Sequence, residues 1–258
     1  MSITVDYHTH TLYSHGKSTI LENAMVAKSK GLKEIAITDH GFGHRMFSVK
    51  PKEVDKMLIE CKEASMQSGV NVKLGVECNV LGLSGQLGLN AYDLHKFEIC
   101  LAGIHKFITY DKFCEWKKLL LDNLLVYKFN FKPTLALIKR NTQVYINAIK
   151  NNPIDILAHP CYEVKADAVE IAKCCRDYGT LFEIDARKTQ LTDDEWVKVF
   201  ETGVKFIISS DAHISSNVGN VLKVLDLVKR LNLNEDQIVN VNGKIPNLTR
   251  FKEYKNKL

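Results

Sequence analysis

Two histidines separated by a single residue, His8 and His10, are the first side chains of this chain that can do chemistry. The apolar residues Ile3 and Val5 precede them and predict a buried strand. Alternate side chains of a strand point to the same face, and two imidazoles at one strand end can bind a metal ion. The alternative is a pair of polar residues leaving a strand without any ligand, and the rest of the chain decides between the two.

Seven side chains that can bind metal share one position in the predicted fold. Each lies at or just beyond the C-terminal end of a predicted strand: His10, His40, Glu77, His105, His159, Asp211 and His213. In a parallel barrel these strand ends meet on one face, where barrel enzymes have their active sites. Seven of the nine histidines are therefore expected at one mouth, namely His8, His10, His15, His40, His105, His159 and His213. A loop histidine with satisfied hydrogen bonds explains any one of them but not the set.

This number of ligands indicates a centre with more than one metal ion. Seven imidazoles and two carboxylates exceed the roughly four ligands of a single zinc ion, so we expect two or three divalent ions. Sites rich in imidazole favour Zn, Mn or Fe over Ca or Mg. Glu77 and Asp211 would lower the net charge, and a carboxylate can bridge two ions. Such a centre lowers the pKa of a bound water and binds the oxygens of a phosphoryl group.

The elements that must position these residues are strands and helices in regular alternation. After a first strand near Val5, strands are predicted at 34–38, 72–76, 98–104, 154–158, 181–185 and 205–209. Helices are predicted at 18–30, 51–68, 112–126, 133–150, 167–177, 193–201 and 220–231, and residues 79–93 predict a glycine-rich loop or small hairpin. Seven such units without a clear linker predict an α/β fold of one domain, residues 1–258, built as a closed or nearly closed parallel barrel like a TIM barrel.

The composition is that of a globular protein, with 258 residues, 45% of them hydrophobic and 25% charged. The net charge of +5 permits anionic substrates without indicating nucleic acid. We expect the cysteines to be reduced core thiols, and the N-terminus has no basic-then-apolar leader. No apolar run reaches the roughly eighteen residues of a membrane helix. These features predict a cytoplasmic protein that does not bind membranes. The cysteines lie mostly in apolar segments and form no C-x-x-C pair: Cys61, Cys78, Cys100, Cys114, Cys161, Cys174 and Cys175.

Six short motifs carry a family resemblance. In chain order they are H-T-H, T-D-H-G, the glutamate of G-V-E-C-N, A-G-I-H, A-H-P and S-S-D-A-H. Together they resemble the PHP (polymerase and histidinol phosphatase) family, and most of all its small stand-alone bacterial phosphatases. The resemblance extends from His8 to at least His213. It implies a distorted seven-stranded (β/α) barrel, a trinuclear metal centre and phosphoesterase activity.

The resemblance also implies how the ligands are divided between three ions. The first ion would have the ligands His8, His10, Glu77 and Asp211. Glu77 would bridge to a second ion held by His105 and His159. The third ion would have the ligands His15, His40 and His213. Catalysis would then depend above all on Glu77, Asp211 and His213.

The residues that bind substrate are expected among the cations near the same mouth. The segment Asp185-Ala186-Arg187-Lys188 follows the sixth predicted strand, where relatives tend to have small polar residues, so the substrate stays open. Arg187 is the first candidate to bind a phosphate, and Lys188 is the second. His44 and Arg45 lie on a glycine-flanked loop that could close over the substrate. The alternative for each of these residues is a solvated loop.

The predicted function is a metal-dependent phosphomonoesterase, similar to histidinol phosphatases, in which a metal-activated hydroxide attacks a small phosphate ester. One alternative is a phosphodiesterase or exonuclease acting on nucleic acid or nucleotides, although the basic patches are modest. An amidohydrolase fits less well, because Glu77 stands in place of the bridging lysine of that family. A metal-storage module without activity is the alternative outside enzymes. The resemblance also allows a homotrimer or a homodimer.

Overall fold

Seven parallel strands form one sheet in which every strand lies beside its neighbour in sequence. The computed structural model describes residues 1–89, 94–106, 108–110, 112, 115–188 and 191–257. Its strands are β1 Val5–Thr9, β2 Glu34–Ile37, β3 Asn71–Asn79, β4 Ile99–Gly103, β5 Ile156–Leu157, β6 Leu181–Asp185 and β7 Phe206–Ser209. The predicted seven-stranded parallel α/β barrel is confirmed.

The barrel closes differently at its two ends. At the C-terminal ends of the strands, Thr9 pairs with Ala212, and the His10 N–H donates to the Ala212 carbonyl at 2.8 Å. At the other end the buried side chain of Asn240 fills the gap between β1 and β7. Its amide donates to the carbonyls of Val5 at 3.0 Å and Ile208 at 2.7 Å, and it accepts the Ile208 N–H at 3.0 Å. A side chain thus replaces the backbone of a missing strand.

Eight α-helices are present in the described part of the chain. They are α1 Ile20–Ser29, α2 Val54–Ser68, α3 Asp122–Phe129, α4 Leu135–Asn151, α5 Ala168–Tyr178, α6 Asp193–Glu201, α7 Leu222–Arg230 and α8 Arg250–Lys255. Thr19 and Thr192 begin α1 and α6 with reciprocal capping boxes. Gly69 and Gly179 end α2 and α5 in the left-handed conformation, with φ of 74° and 72°. None of the described helices is both long and apolar enough to cross a bilayer.

Most predicted elements match the structure, with differences in three segments. The helix predicted at 112–126 is a π-helical stretch, Lys117–Leu121, that leads into α3, and its residues 113 and 114, including Cys114, lie outside the described residues. Val80 pairs antiparallel with Leu87, which confirms a small hairpin after β3; the last residues of that predicted segment, 90–93, also lie outside. The helix α8 was not predicted, because six residues are too few for a clear helical period.

Apolar side chains form two separate clusters. The large cluster packs helices against the outer face of the sheet. The small cluster comes from strand residues and those directly following them, and it fills the barrel interior: Val5, Tyr7, Ala36, Ile99, Leu101, Ile156, Ala158 and Ile207. The six cysteines of the described part are all free and buried.

A bulge in β1 aims the first histidines into the barrel. Val5 and Tyr7 belong to the interior cluster, so strict alternation would turn His8 to the outer face. The pairing with β2 shifts register between Asp6 and Thr9. The extra residue of such a bulge bends the strand and redirects its side chains. Tyr7 and His8 can therefore both face the interior, and His10 follows His8 on the same side.

Candidate metal centre

The carboxylate of Glu77, on β3, lies at the centre of the predicted ligands. Its Oε1 atom is 3.1 Å from His105 Nε2 and 2.9 Å from His159 Nε2. Its Oε2 atom is 2.9 Å from His40 Nδ1. His8 Nε2 is also within 3.5 Å of Oε1. Predicted ligands from the ends of β1, β2, β4 and β5 thus converge on one buried carboxylate, which is the arrangement that the predicted bridging role of Glu77 requires.

A second carboxylate, Asp211, follows β7 and completes the other side of the cluster. Its Oδ1 atom is 3.1 Å from His10 Nε2 and 3.5 Å from His8 Nε2. The Asp211 carbonyl lies 2.8 Å from His213 Nδ1. The imidazoles of His213 and His15 contact each other through their Nε2 atoms. The structure therefore brings all nine predicted ligands together at one end of the barrel.

The backbone is adapted to this convergence at three positions. His159 and Asp211 have positive φ angles of 29° and 48°, which are uncommon for residues other than glycine and turn these side chains at the strand ends. Gly103 leaves room for two imidazoles, because a Cβ atom there would lie 2.9 Å from His159 Cε1 and 3.1 Å from His105 Cε1. Any larger residue at position 103 would displace both rings.

Many buried atoms of the cluster make no hydrogen bond of good geometry with the described residues, even where another polar atom lies within 3.1 Å. They are His8 Nε2, His10 Nδ1 and Nε2, His15 Nδ1, His40 Nδ1, His105 Nδ1 and Nε2, Glu77 Oε2 and Asp211 Oδ1. Each unsatisfied buried polar group costs about 1–3 kcal/mol. A cation removes this cost, because lone pairs that face one another can all bind it. The residues therefore fit divalent metal ions, and their nitrogen and oxygen donors suit Zn, Mn or Fe.

The donor atoms are also close enough together to share ions. Overlapping groups of three have all their ligand atoms within 4.8 Å of one another: His8, His10 and Asp211; His8, Glu77 and His159; His10, His40 and Glu77; His10, His15 and His213. His10 and Glu77 each belong to more than one group. Such sharing is what the predicted centre of two or three ions requires.

Electrostatics keep four of the predicted ligands, His105, His15, Glu77 and Asp211, in the forms that bind metal. His8 differs, because burial lowers its pKa but Glu183, Glu77 and Asp211 raise it well above the ordinary value. Burial lowers the pKa of both His105 and His15 to about 3, so these imidazoles are neutral at physiological pH. Burial raises the pKa of Glu77, but the surrounding histidines, His105 above all, bring it well below its ordinary value. Burial likewise raises the pKa of Asp211, and Lys188 and His8 lower it well below that of a free aspartate. Neutral imidazoles and ionised carboxylates are the ligand forms.

Two of the predicted substrate-binding cations point into the mouth. Arg187 Nη1 lies 3.1 Å from Asp211 Oδ2 and 3.2 Å from both ring nitrogens of His213. Lys188 Nζ lies 2.8 Å from the same Asp211 oxygen. Asp185 folds the turn that places them, since its Oδ1 accepts the N–H groups of Arg187 at 2.7 Å and Lys188 at 2.9 Å. Half of the Arg187 side chain, 49%, is still exposed to solvent.

The loop residues His44 and Arg45 occupy different environments. His44 is buried and stacks on His40 with ring centroids 4.8 Å apart. Its Nδ1 atom accepts the N–H groups of Met46 at 3.3 Å and Phe47 at 3.2 Å, which folds its own loop. Arg45 is exposed, and with the described residues of the cluster it makes neither a hydrogen bond nor an ion pair. Arg187 and Lys188 thus contact the predicted ligand Asp211, and His44 contacts the predicted ligand His40, whereas Arg45 has no such contact within the described residues.

One residue that contacts two of the predicted ligands, Glu183 on β6, is not among the residues predicted from the sequence. Its Oε1 atom is 2.8 Å from His8 Nδ1, and its Oε2 atom accepts the His159 N–H at 2.6 Å. The side chain is fully buried. A signal was present, because a glutamate in the middle of an apolar strand is a buried charge, and such charges are normally paired.

Comparisons with known proteins agree with this geometry. The family model of the PHP domain matches residues 6–214. A probable phosphatase of Thermoanaerobacter sp. strain X514 is 31% identical over 99% of this chain and 98% of the relative. A probable phosphatase of Shewanella sp. strain ANA-3 is 28% identical over 93% of this chain and 88% of the relative.

A solved structure shows the same fold. It is histidinol phosphate phosphatase from Lactococcus lactis subsp. lactis Il1403, complexed with zinc, L-histidinol and phosphate, and its TM-score to this chain is 0.61. The two chains are 17% identical, and the match covers 91% of this chain and 95% of the other. At this identity the likeness concerns the fold alone. The family model and the relatives together show that this chain belongs to the PHP domain family.

Proposed function

We propose that this protein is a metal-dependent phosphomonoesterase that hydrolyses a small phosphate ester at a trinuclear centre. The observation that carries the proposal is the convergence of Glu77, Asp211 and seven imidazoles, because many of their buried donor atoms make no hydrogen bond with the described residues. The relatives are named probable phosphatases, and the Lactococcus lactis structure contains zinc with an alcohol and phosphate. Both names support a small phosphorylated substrate for this chain.

The ligands would be divided as the family resemblance implies. His8, His10, Glu77 and Asp211 would hold the first ion, and Glu77 would bridge to the second together with His105 and His159. His15, His40 and His213 would hold the third. Two contacts support grouping these three histidines with one another: His213 touches His15, and the rings of His15 and His40 stack with centroids 4.8 Å apart.

The chain's own residues prepare the site for attack on phosphorus. When bound, the ions supply an activated water and neutralise charge on the phosphoryl oxygens. Glu77 and Asp211 stay ionised, so their negative charges would offset much of the positive charge of the bound ions. Arg187 is the cation best placed to bind the phosphate or the leaving group through its planar guanidinium. His213 lies beside it at the open edge, where the leaving oxygen would depart.

The proposal is tested by metal analysis followed by a substrate screen. Protein purified without chelator should contain about three ions per chain, each with four to six ligands. It should hydrolyse p-nitrophenyl phosphate when loaded with Mn or Zn. If the protein hydrolyses bis-p-nitrophenyl phosphate or oligonucleotides but not p-nitrophenyl phosphate, it is instead a phosphodiesterase. A fully loaded protein without hydrolysis would indicate a binding module, and one ion after soaking in excess metal would contradict the trinuclear centre.

We further propose that the protein acts in the cytoplasm and assembles as a homotrimer or homodimer. The six described cysteines are free and buried, which suits a reducing compartment. Fractionation of cells and light scattering of the purified protein test these two proposals separately.

A further inference from the structure

We infer that Glu183 is a positioning residue that sets the geometry of the first and second metal positions at once. The inference rests on the proposed metal centre. Glu183 lies on β6, and it contacts His8 from β1 and His159 after β5. These two histidines belong to different ions in the proposed division of ligands. One buried carboxylate therefore supports ligands of two neighbouring ions.

The first contact determines which nitrogen of His8 faces the metal. Glu183 Oε1 lies 2.8 Å from His8 Nδ1, so an ionised carboxylate requires the proton on Nδ1. The Nε2 lone pair is then directed toward Glu77 and Asp211, each with an oxygen 3.5 Å away. Hydrogen bonds of this kind orient metal-binding imidazoles and raise their basicity.

The second contact acts on the backbone rather than on a ring. Glu183 Oε2 accepts the N–H of His159 at 2.6 Å, and His159 has the unusual φ angle of 29°. The preceding residue, Ala158, belongs to the interior cluster, so extended backbone would turn the next side chain outward. The hydrogen bond that the His159 N–H donates to Glu183 holds the strained conformation that directs His159 Nε2 to Glu77, 2.9 Å away.

The two contacts together require a carboxylate at position 183. Both partners, the His8 ring and the His159 amide, are donors, so both oxygens must accept. A glutamine has the same shape but only one acceptor oxygen, and its NH₂ group would face one of the two donors. Glu183→Gln must therefore lose one contact, repel one partner, or move the His8 proton to Nε2, where it blocks metal binding. Neither of these two contacts involves a proposed ligand of the third ion.

The test compares Glu183→Gln with a matched variant at the opposite end of the barrel. Asp155 is also a buried carboxylate between two donors, because Oδ2 accepts the Cys100 N–H and Oδ1 the Phe251 N–H, both at 3.1 Å. Asp155→Asn makes the same chemical change far from the metal ligands. Each variant is titrated with Co²⁺, Mn²⁺ and Zn²⁺ after removal of metal, and Co²⁺ absorption reports the ligand geometry.

Glu183→Gln should weaken two of the three binding steps about 10–100-fold, as is typical when the partner of a metal-binding histidine is removed. The third step should keep its affinity. The Co²⁺ spectrum should change in Glu183→Gln and stay that of the wild type in Asp155→Asn, even if Asp155→Asn is less stable. Wild-type affinities and spectrum in a folded Glu183→Gln protein would overturn the inference, as would an equal loss in Asp155→Asn.

A second variant decides the question if Glu183→Gln does not fold. Glu183→Asp keeps the charge but is one methylene shorter, so it cannot span both donors. It should show the same selective loss at two binding steps, and wild-type behaviour would overturn the inference. The readouts do not depend on phosphatase activity. A wild type that binds the ions without hydrolysing phosphate esters would contradict the proposed function alone.

Discussion

The two ends of the barrel both contain buried polar groups but satisfy them to different degrees. At the N-terminal end of the strands, the half-buried Glu34 accepts from Asn71 at 3.0 Å and pairs with Lys73 at 2.7 Å. Asp155 accepts two backbone N–H groups, and the Asn240 amide makes three hydrogen bonds to β1 and β7. Polar groups at this end complete the fold.

At the C-terminal end, buried groups of the same kind are left without partners. Glu77 Oε2, Asp211 Oδ1 and several imidazole nitrogens lack hydrogen bonds within the described part of the chain. Both ends cost desolvation free energy, but these atoms of the C-terminal end do not recover it within the described part of the protein. The difference teaches that buried polar groups stabilise this fold where they are paired, and create a binding site where they are not.

The largest effect is expected from a substitution at the centre of the predicted metal site, at the C-terminal end of the barrel. Glu77→Gln removes charge shared by two ions, so metal occupancy and turnover should fall together, turnover by about a hundredfold or more. Metal analysis and kinetics on p-nitrophenyl phosphate measure the two. Glu34→Gln at the other end is the control and should keep both. Unchanged occupancy and unchanged kinetics in Glu77→Gln would show that this residue lies outside the site.

Removal of metal should destabilise the protein through its C-terminal site alone, without any substitution. Ligand binding stabilises a fold by about 2.7 kcal/mol for one site at a hundred times its dissociation constant. Excess Mn or Zn should therefore raise the urea midpoint of unfolding relative to protein in chelator. Identical midpoints in both conditions would contradict a binding site made from unsatisfied groups.

The next largest effect is expected from a substitution that removes hydrogen bonds at the N-terminal end of the barrel. Asn240→Ala leaves backbone groups of Val5 and Ile208 unpaired in the gap between β1 and β7, which should lower the free energy of unfolding by about 1–3 kcal/mol. The gain from added metal should equal that of the wild type, because distant sites are additive. A variant with lost metal affinity and unchanged stability would show that the two ends are not independent.

The smallest effect concerns substrate binding at the edge of the centre. Arg187→Ala should raise KM for the true substrate about tenfold, since a charge-assisted hydrogen bond contributes about 1.5–3 kcal/mol. Metal content should stay the same, and the effect on p-nitrophenyl phosphate should be smaller if Arg187 contacts the leaving group. Arg176→Ala, on the surface of α5, is the control. An unchanged KM for Arg187→Ala would leave specificity to Lys188 or the loop of His44.

Local pattern was sufficient for much of this protein. The alternation of apolar strands with helices predicts the barrel. This works because the burial of a strand leaves an apolar pattern in the local sequence, whatever its neighbours in the sheet are. The position of His40, Glu77, His105 and Asp211 at strand ends predicts their convergence, because parallel strands end on one face. The motif order added the family, which the PHP domain match confirms.

Contacts between distant segments were decided only by the tertiary structure. His8 and Glu183 are 175 residues apart, and their hydrogen bond depends on the closure of β1 onto the far side of the barrel. Asn240 completes that closure with a side chain, which no strand pattern reveals. The bulge that turns His8 inward depends on how β1 pairs with β2. Sequence thus determined which residues could bind metal, and packing decided which groups hold them in place, because orientation arises from contacts that periodicity does not encode.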